Sequence, residues 1–444
     1  MVNNFVTRLS SLWNAGVQLS RGPIARASAL SLGIRLVGLG LSFLQAILTA
    51  RLLGPVGYGT VASIISVAQI LATLAAFGLG PLAVREVPAM QAAGKTDRIR
   101  GFLGVSAILV AALASLLSLI AVLVILPATG AREAEPSAAM LGGLLVMPLT
   151  LIMLLAGWWR SLGAVGQAQF PNSILRPGII TLVLAASIAW ATPIGPADYL
   201  VTALMAALFA GFVSLAWLWR TKLRVLPKSE VRNSLRDIGL KSVPFLGLAL
   251  SAIVQTELLT VMLAVLSGPY ETGLYQPVAR LVPLFMLPVE AAGMRYAPRM
   301  AELHRMGEMD RMRRITWTFT WTTALLTALF GITVAAAGPW ILAVFGREFV
   351  ASAPLLWIIV AAQIFNASCG PVTMLLAMTG HSRTALWGQL AGLAVIGFSG
   401  VLLIADRGAM GAAMAMAIGI VFTNVCQWIS VRRKLDMRPS LLRI

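Results

Sequence analysis

The chain has 444 residues, 59% of them apolar and only 11% charged, whereas soluble domains average about 45–50% and about 25%. Twelve bilayer-crossing helices of about 20 residues each would use nearly the whole apolar supply. That excludes an ordinary soluble enzyme, and the long apolar runs exclude an outer-membrane barrel, whose short strands alternate. A formal net charge of +18 would suggest nucleic acid in a soluble protein, but in a membrane chain it is tested first as topology.

Residues 1–28 form a tail that lacks the apolar core and cleavage site of a signal peptide. Within it Phe5, Leu9, Leu12, Trp13 and Val17 recur at helical spacing. That is the pattern of an interfacial amphipathic helix, with a mobile tail as the other reading. Apolar runs then predict spans over 29–53, 59–85, 101–127, 137–159, 172–192 and 198–219. A basic linker, 220–242, separates this N-lobe (29–219) from a C-lobe (243–431). The second set of spans covers 243–266, 274–296, 315–337, 353–378, 385–404 and 409–431. A basic tail, 432–444, follows, and its Arg432–Lys434 run suits anionic headgroups.

With the N-terminus cytoplasmic, 27 of the 34 Lys and Arg residues fall on inside segments. Three (Arg132, Arg347 and Arg407) fall outside, and Arg35, Arg51, Arg176 and Arg280 fall within spans. The bias predicts both termini in the cytoplasm and removes the need for a nucleic-acid partner. The outer loops are short, which leaves no extracellular domain for a catalytic site.

The halves repeat at a nearly constant offset. Gly54-Pro55 matches Gly268-Pro269, Gly57-Tyr58 matches Gly273-Leu274, and Gly94-x-x-Asp97-Arg98-x-Arg100 matches Gly307-x-x-Asp310-Arg311-x-Arg313. Arg132-Glu133 matches Arg347-Glu348, and Gly195 matches Gly408. Six spans per half return each half to the same orientation. The predicted fold is therefore all-α and polytopic, with about 12 transmembrane helices in two six-helix lobes related by a parallel pseudo-twofold repeat.

The junctions carry a resemblance: ARLLGPVGYGTVASI (Ala50–Ile64), FGLGPLAVRE (Phe77–Glu86), LSGPYETGLYQPVARL (Leu266–Leu281), FGREFVASAPLLWIIV (Phe345–Val360) and GAMGAAMAMA (Gly408–Ala417). The chain resembles the polysaccharide transporter family, the Wzx-type lipid-linked oligosaccharide flippases of the multidrug/oligosaccharidyl-lipid/polysaccharide (MOP) superfamily. The resemblance implies a V-shaped pair of lobes around a central cavity, a bacterial inner-membrane location, and transport of an undecaprenyl-diphosphate-linked oligosaccharide. It brings with it a polysaccharide polymerase and chain-length regulator as partners, besides membrane lipids. Family members often carry Asp in the seventh span where this chain has Glu257.

A flippase needs a polar, preferably cationic path shielded from lipid. In the first span Ser31, Arg35, Gly38, Ser42, Gln45 and Thr49 share one helix face. That face serves either a cavity wall or helix–helix packing. In the eighth span Gln276, Arg280, Pro283, Leu287, Glu290 and Met294 repeat the pattern. Arg280 suits a diphosphate as a planar multi-donor cation, or pairs with Glu257 of the seventh span. Arg35 contacts substrate or snorkels, Arg176 snorkels or joins the cavity, and Arg51 is interfacial or structural. Glu257, among Gln255, Thr256 and Thr260, is the candidate for proton or sodium coupling or for charge balance, and Glu290 is a second. Gln363, Asn366, Gly370 and Thr373 form a further polar face in the tenth span, and Pro283 and Pro288 predict kinks in the eighth.

Catalytic and metal signatures are lacking: there is no GxxxxGK[ST] loop, and His304 and His381 are the only histidines. Cys369 and Cys426 form no CxxC or zinc spacing. No cofactor is expected. Three readings compete with the flippase of surface polysaccharide: a cation-coupled multidrug exporter, a peptidoglycan-precursor flippase, and a membrane glycan polymerase or ligase. A non-transporting subunit of an assembly complex is the fourth. Four intramembrane arginines against two glutamates favour an anionic substrate.

Overall fold

A computed structural model describes residues 23–125, 136–227, 235–437 and 439–440. The amphipathic reading of residues 1–20 lies outside them, as do residues 228–234 of the basic linker, residue 438 and residues 441–444. Among the described residues every regular element is helical. Nine helices are long and apolar enough to cross a membrane, and a tenth, Gly268–Arg305, is bent by 45° between Gly293 and Tyr296.

Two of these helices count twice. Pro23–Ala76 and Ser382–Leu435 each have 54 residues, about 80 Å if straight, against a hydrocarbon core of about 30 Å. Each is broken at a glycine with non-helical backbone, Gly54 (φ 63°) and Gly408 (φ 52°). The first doubles back: Ser42 and Gln69 would be about 40 Å apart on a straight helix, yet they line one small cavity. The second does the same, since Gln427 donates to the Ala385 carbonyl and Lys434 to the Thr384 hydroxyl. Counted so, the described residues hold twelve helical segments long enough to cross a membrane, six in each half of the sequence.

Several boundaries move. The second span is interrupted at Phe77 and Gly78, both at positive φ, and its helix runs on to Ala92. The fifth begins at Val165 rather than 172, because Val165–Phe170, a π-helical turn at Pro171–Leu175 and Arg176–Ala189 form one rod. The tenth is split at Cys369–Pro371 into Ala353–Ser368 and Val372–Met378. Helix also reaches into the predicted linker, starting at Leu235, and past the twelfth span to Leu435. The sharp bend in the eighth span lies away from Pro283 and Pro288. It falls at the fourth residue before Pro298, where the proline ring meets the helical carbonyl.

The two halves meet through a symmetric contact. Gly59 lies against the backbone of Pro269, and Gly273 against the backbone of Pro55. Each pair is the other displaced by 214 residues, as a pseudo-twofold axis requires. Gly59, rather than Gly57, is thus the structural counterpart of Gly273. Around this contact Ala46, Ala50 and Tyr58 join Leu259, Val278, Phe285 and Phe345 in one buried core. Arg51 adds a hydrogen bond to the Val344 carbonyl at 2.7 Å. At the opposite end, where the described chain starts and stops, the cores are separate. One holds Leu79, Phe102 and Trp159 with Ile238 of the seventh span; the other holds Met300, Phe319, Leu375 and Val431. The halves share one buried core at the Gly54 end and have separate cores at the terminal end, where the seventh span packs on the first half.

Candidate functional site

A cavity of about 220 Å³ lies between the halves. The first span contributes Ser42, Gln45 and Thr49; the second, Tyr58 and Gln69; the fifth, Asn172 and Arg176; the sixth, Tyr199; and the eighth, Arg280. Two cations from opposite halves therefore share one chamber. None of its lining residues is acidic.

Local folding explains the arrangement. Pro171 opens the π-helical turn Pro171–Leu175, and Arg176 follows directly. A π-turn widens the helix and redirects side chains, a device frequent at functional sites. Here the side-chain Oδ1 of Asn172 accepts from Arg176 at 3.2 Å and orients its guanidinium. Gln45 donates to the Tyr199 hydroxyl at 2.6 Å. Tyr58 is 4% exposed, and its hydroxyl sits beside Arg280 without meeting hydrogen-bond geometry. Arg280 is exposed and lines the cavity.

Glu257 stands behind this wall. Its carboxylate accepts a 2.5 Å hydrogen bond from Ser66 of the second span and feels the charge of Arg280. No ion pair between Glu257 and Arg280 forms among the described residues. The pairing reading for Arg280 is therefore not what the geometry shows. Arg35, in contrast, is paired: it bonds Glu290 at 2.9 Å, joining first and eighth spans toward the terminal end. Neither residue lines the cavity. Gln276 does not line it either. It is 4% exposed and donates to the Thr260 hydroxyl, a link between seventh and eighth spans. The first-span face divides as well: Ser31 accepts from Gln169 and Gly38 packs on Ser173, whereas Ser42, Gln45 and Thr49 reach the cavity. In the tenth span, Asn366, Gly370 and Thr373 line a separate 160 Å³ cavity, where Asn424 donates to Asn366 and Thr373 to Gln427.

Sequence reasoning missed Tyr58, Gln69, Asn172 and Tyr199. Asn172 precedes Arg176 by one helical turn and was within reach of the spacing argument. The tyrosines come from other spans and carry no such signal.

Among the described residues, twelve helical segments in two pseudo-symmetric halves enclose the chamber. The chain belongs to the family described as "Polysaccharide biosynthesis protein", whose model matches residues 24–304. No curated protein matches it in sequence. Among solved structures it is similar to an inward-facing multidrug resistance MATE family transporter of the MOP superfamily. The TM-score is 0.70 at 14% identity, over 92% of this chain and 98% of that one. It is also similar to the lipid II flippase MurJ in an inward closed conformation, with TM-score 0.68 at 12% identity over 91% and 87%. An outward-facing MATE family transporter fits less well, with TM-score 0.55 at 15% identity over 95% and 98%.

Proposed function

We propose that the protein flips an undecaprenyl-diphosphate-linked oligosaccharide from the cytoplasmic to the outer leaflet of the bacterial inner membrane, for surface polysaccharide assembly, by alternating access. The observation that carries this is the pairing of Arg176 and Arg280, one from each half, in a chamber lined by no carboxylate. Two guanidiniums bind a diphosphate with several charge-assisted hydrogen bonds, and the buried, unpartnered Tyr58 hydroxyl offers another. Cationic drugs would be repelled by the same chamber, which disfavours the exporter reading. A peptidoglycan precursor shares the diphosphate, so the chamber chemistry serves that cargo equally.

At about 220 Å³ the chamber falls below the roughly 300–1,000 Å³ of ordinary ligand pockets. It accommodates a headgroup, not a glycan, and the sugars require the halves to part further. The terminal end is the cytoplasmic one on the charge bias of the loops. Glu257, hydrogen-bonded to Ser66 and beside Arg280, is the group we assign to proton or sodium coupling, or to balancing Arg280 once the substrate leaves. The Arg35–Glu290 pair serves as a tie between the halves. A polymerase and a chain-length regulator would act on the product.

The test is a deletion strain. Undecaprenyl-diphosphate glycans should accumulate in the cytoplasmic leaflet while surface polysaccharide is lost. Normal delivery to the outer leaflet would overturn the flippase assignment, and accumulation of unpolymerised units outside would point to a polymerase instead.

A further inference from the structure

A groove of about 640 Å³, larger than the central chamber, lies on the N-terminal half between the third, fourth and sixth spans. It shares no lining residue with the chamber. Leu103, Phe212, Leu215 and Leu223 give it apolar walls, and Arg100 and Arg220 also line it. Both arginines sit where spans end. Arg100 is in the first turn of the helix Asp97–Ile120, and Arg220 is in the π-helical turn Trp219–Leu223 that closes the sixth span. That is the level of lipid headgroups.

Four features indicate a site rather than a chance hollow. The Arg100 guanidinium stacks 5.7 Å from the centre of the Trp219 ring, which fixes its direction. Neither Arg100 nor Arg220 has an ion-pair partner among the described residues. Trp158, 5% exposed, lines the groove with a buried indole N–H that has no acceptor, and buried donors are rarely left unpaired. Gly104 lines the groove too, and a Cβ added there would meet nothing within 4 Å.

We propose that the groove binds an anionic phospholipid of the bilayer, its phosphate between Arg100 and Arg220 and an acyl chain along Leu103, Phe212 and Leu215. Charge selects the occupant. Basic pockets between spans on the cytoplasmic side hold multiply charged lipid headgroups. A zwitterionic lipid carries no net charge to these two cations, and a cationic molecule is repelled. This assignment does not depend on what the central chamber carries.

Native mass spectrometry of the full-length protein tests it, with tetraoleoyl cardiolipin titrated against dioleoyl phosphatidylcholine. Cardiolipin should bind about tenfold more tightly or better. Arg100→Gln with Arg220→Gln should remove most of that preference. Gly104→Leu should weaken binding severalfold by filling the groove, while leaving both charges in place and adding its Cβ without a clash. Equal binding of the two lipids by the unaltered protein would overturn the proposal. So would undiminished cardiolipin binding in Gly104→Leu, since that places the lipid on a charged surface and not in the groove. If the arginine variant fails to fold, the glycine variant carries the test alone.

Discussion

At the scale of single residues, the chamber depends on two arginines kept free of acids. Replacing Arg176 or Arg280 by Gln keeps a polar side chain with two N–H donors but shortens it and removes the charge. Each change should lower transport of a labelled undecaprenyl-diphosphate sugar in proteoliposomes by about tenfold or more, since hydrogen bonds to charged groups are worth about 1.5–3 kcal/mol. Normal rates in both variants would exclude a role in headgroup binding. Gln276→Leu, at a buried helix–helix link, should instead lower thermal stability and spare the transport rate per folded molecule. Ser66→Ala removes the hydrogen bond to Glu257. If Glu257 couples transport to an ion, this variant and Glu257→Gln should both change how the rate depends on the proton or sodium gradient. An unchanged gradient dependence in both would leave Glu257 with charge balance only.

At the scale of elements, glycine and proline set where the chain turns. Gly54 and Gly268 both take positive φ, and each is followed by a proline at the first position of the next helix. Proline fits there because that N–H has no helical acceptor. The sixth and twelfth spans start under the same electrostatic demand but meet it differently. Asp198 accepts from its own Gly195 N–H, whereas Glu271 reaches across from the eighth span to the Ala409 N–H. Carboxylates at helix N-termini stabilise them. The contacts Gly59–Pro269 and Gly273–Pro55 leave no room for a side chain. Gly273→Leu should therefore hold the Gly54 end apart. Spin labels at Val56 and Tyr270, both half-exposed and equivalent under the 214-residue offset, should move to longer distance in that variant, and transport should fall. An unaltered distance distribution would mean that this contact is not the closure.

At the scale of the whole molecule, the shared core at the Gly54 end and the separate terminal cores are, on the proposed function, one of two alternating states. The Arg35–Glu290 pair bridges the terminal side, with side chains 50% and 38% exposed. Exposed pairs contribute about 0–1 kcal/mol, so this tie yields easily when the halves move. Arg35→Gln with Glu290→Gln should raise the rate at which a water-soluble maleimide labels a cysteine at Ser42 by about two- to fivefold, in keeping with that energy. The melting temperature should hardly change. A labelling rate equal to that of the parent would show that the pair does not restrain opening.

The all-helical fold, the repeat and five residues that line the chamber (Ser42, Gln45, Thr49, Arg176 and Arg280) were legible in the sequence. These are properties of local pattern: length of apolar run, helical spacing, and charge excluded from lipid. What each intramembrane charge faces was decided only by the tertiary structure. Arg35 and Arg280 both read as headgroup ligands, yet one finds Glu290 from the eighth span and the other is left with Tyr58 and an open chamber. Gln276 shared a face with Arg280 in the sequence, but the approach of the seventh span buries it against Thr260. Tyr58 and Tyr199 entered because chain reversal at Gly54 and packing of the sixth span bring distant segments to one depth. Periodicity fixes which face of a helix a residue occupies. Which neighbour covers that face follows from how twelve helices pack, and one helix's own sequence does not encode it.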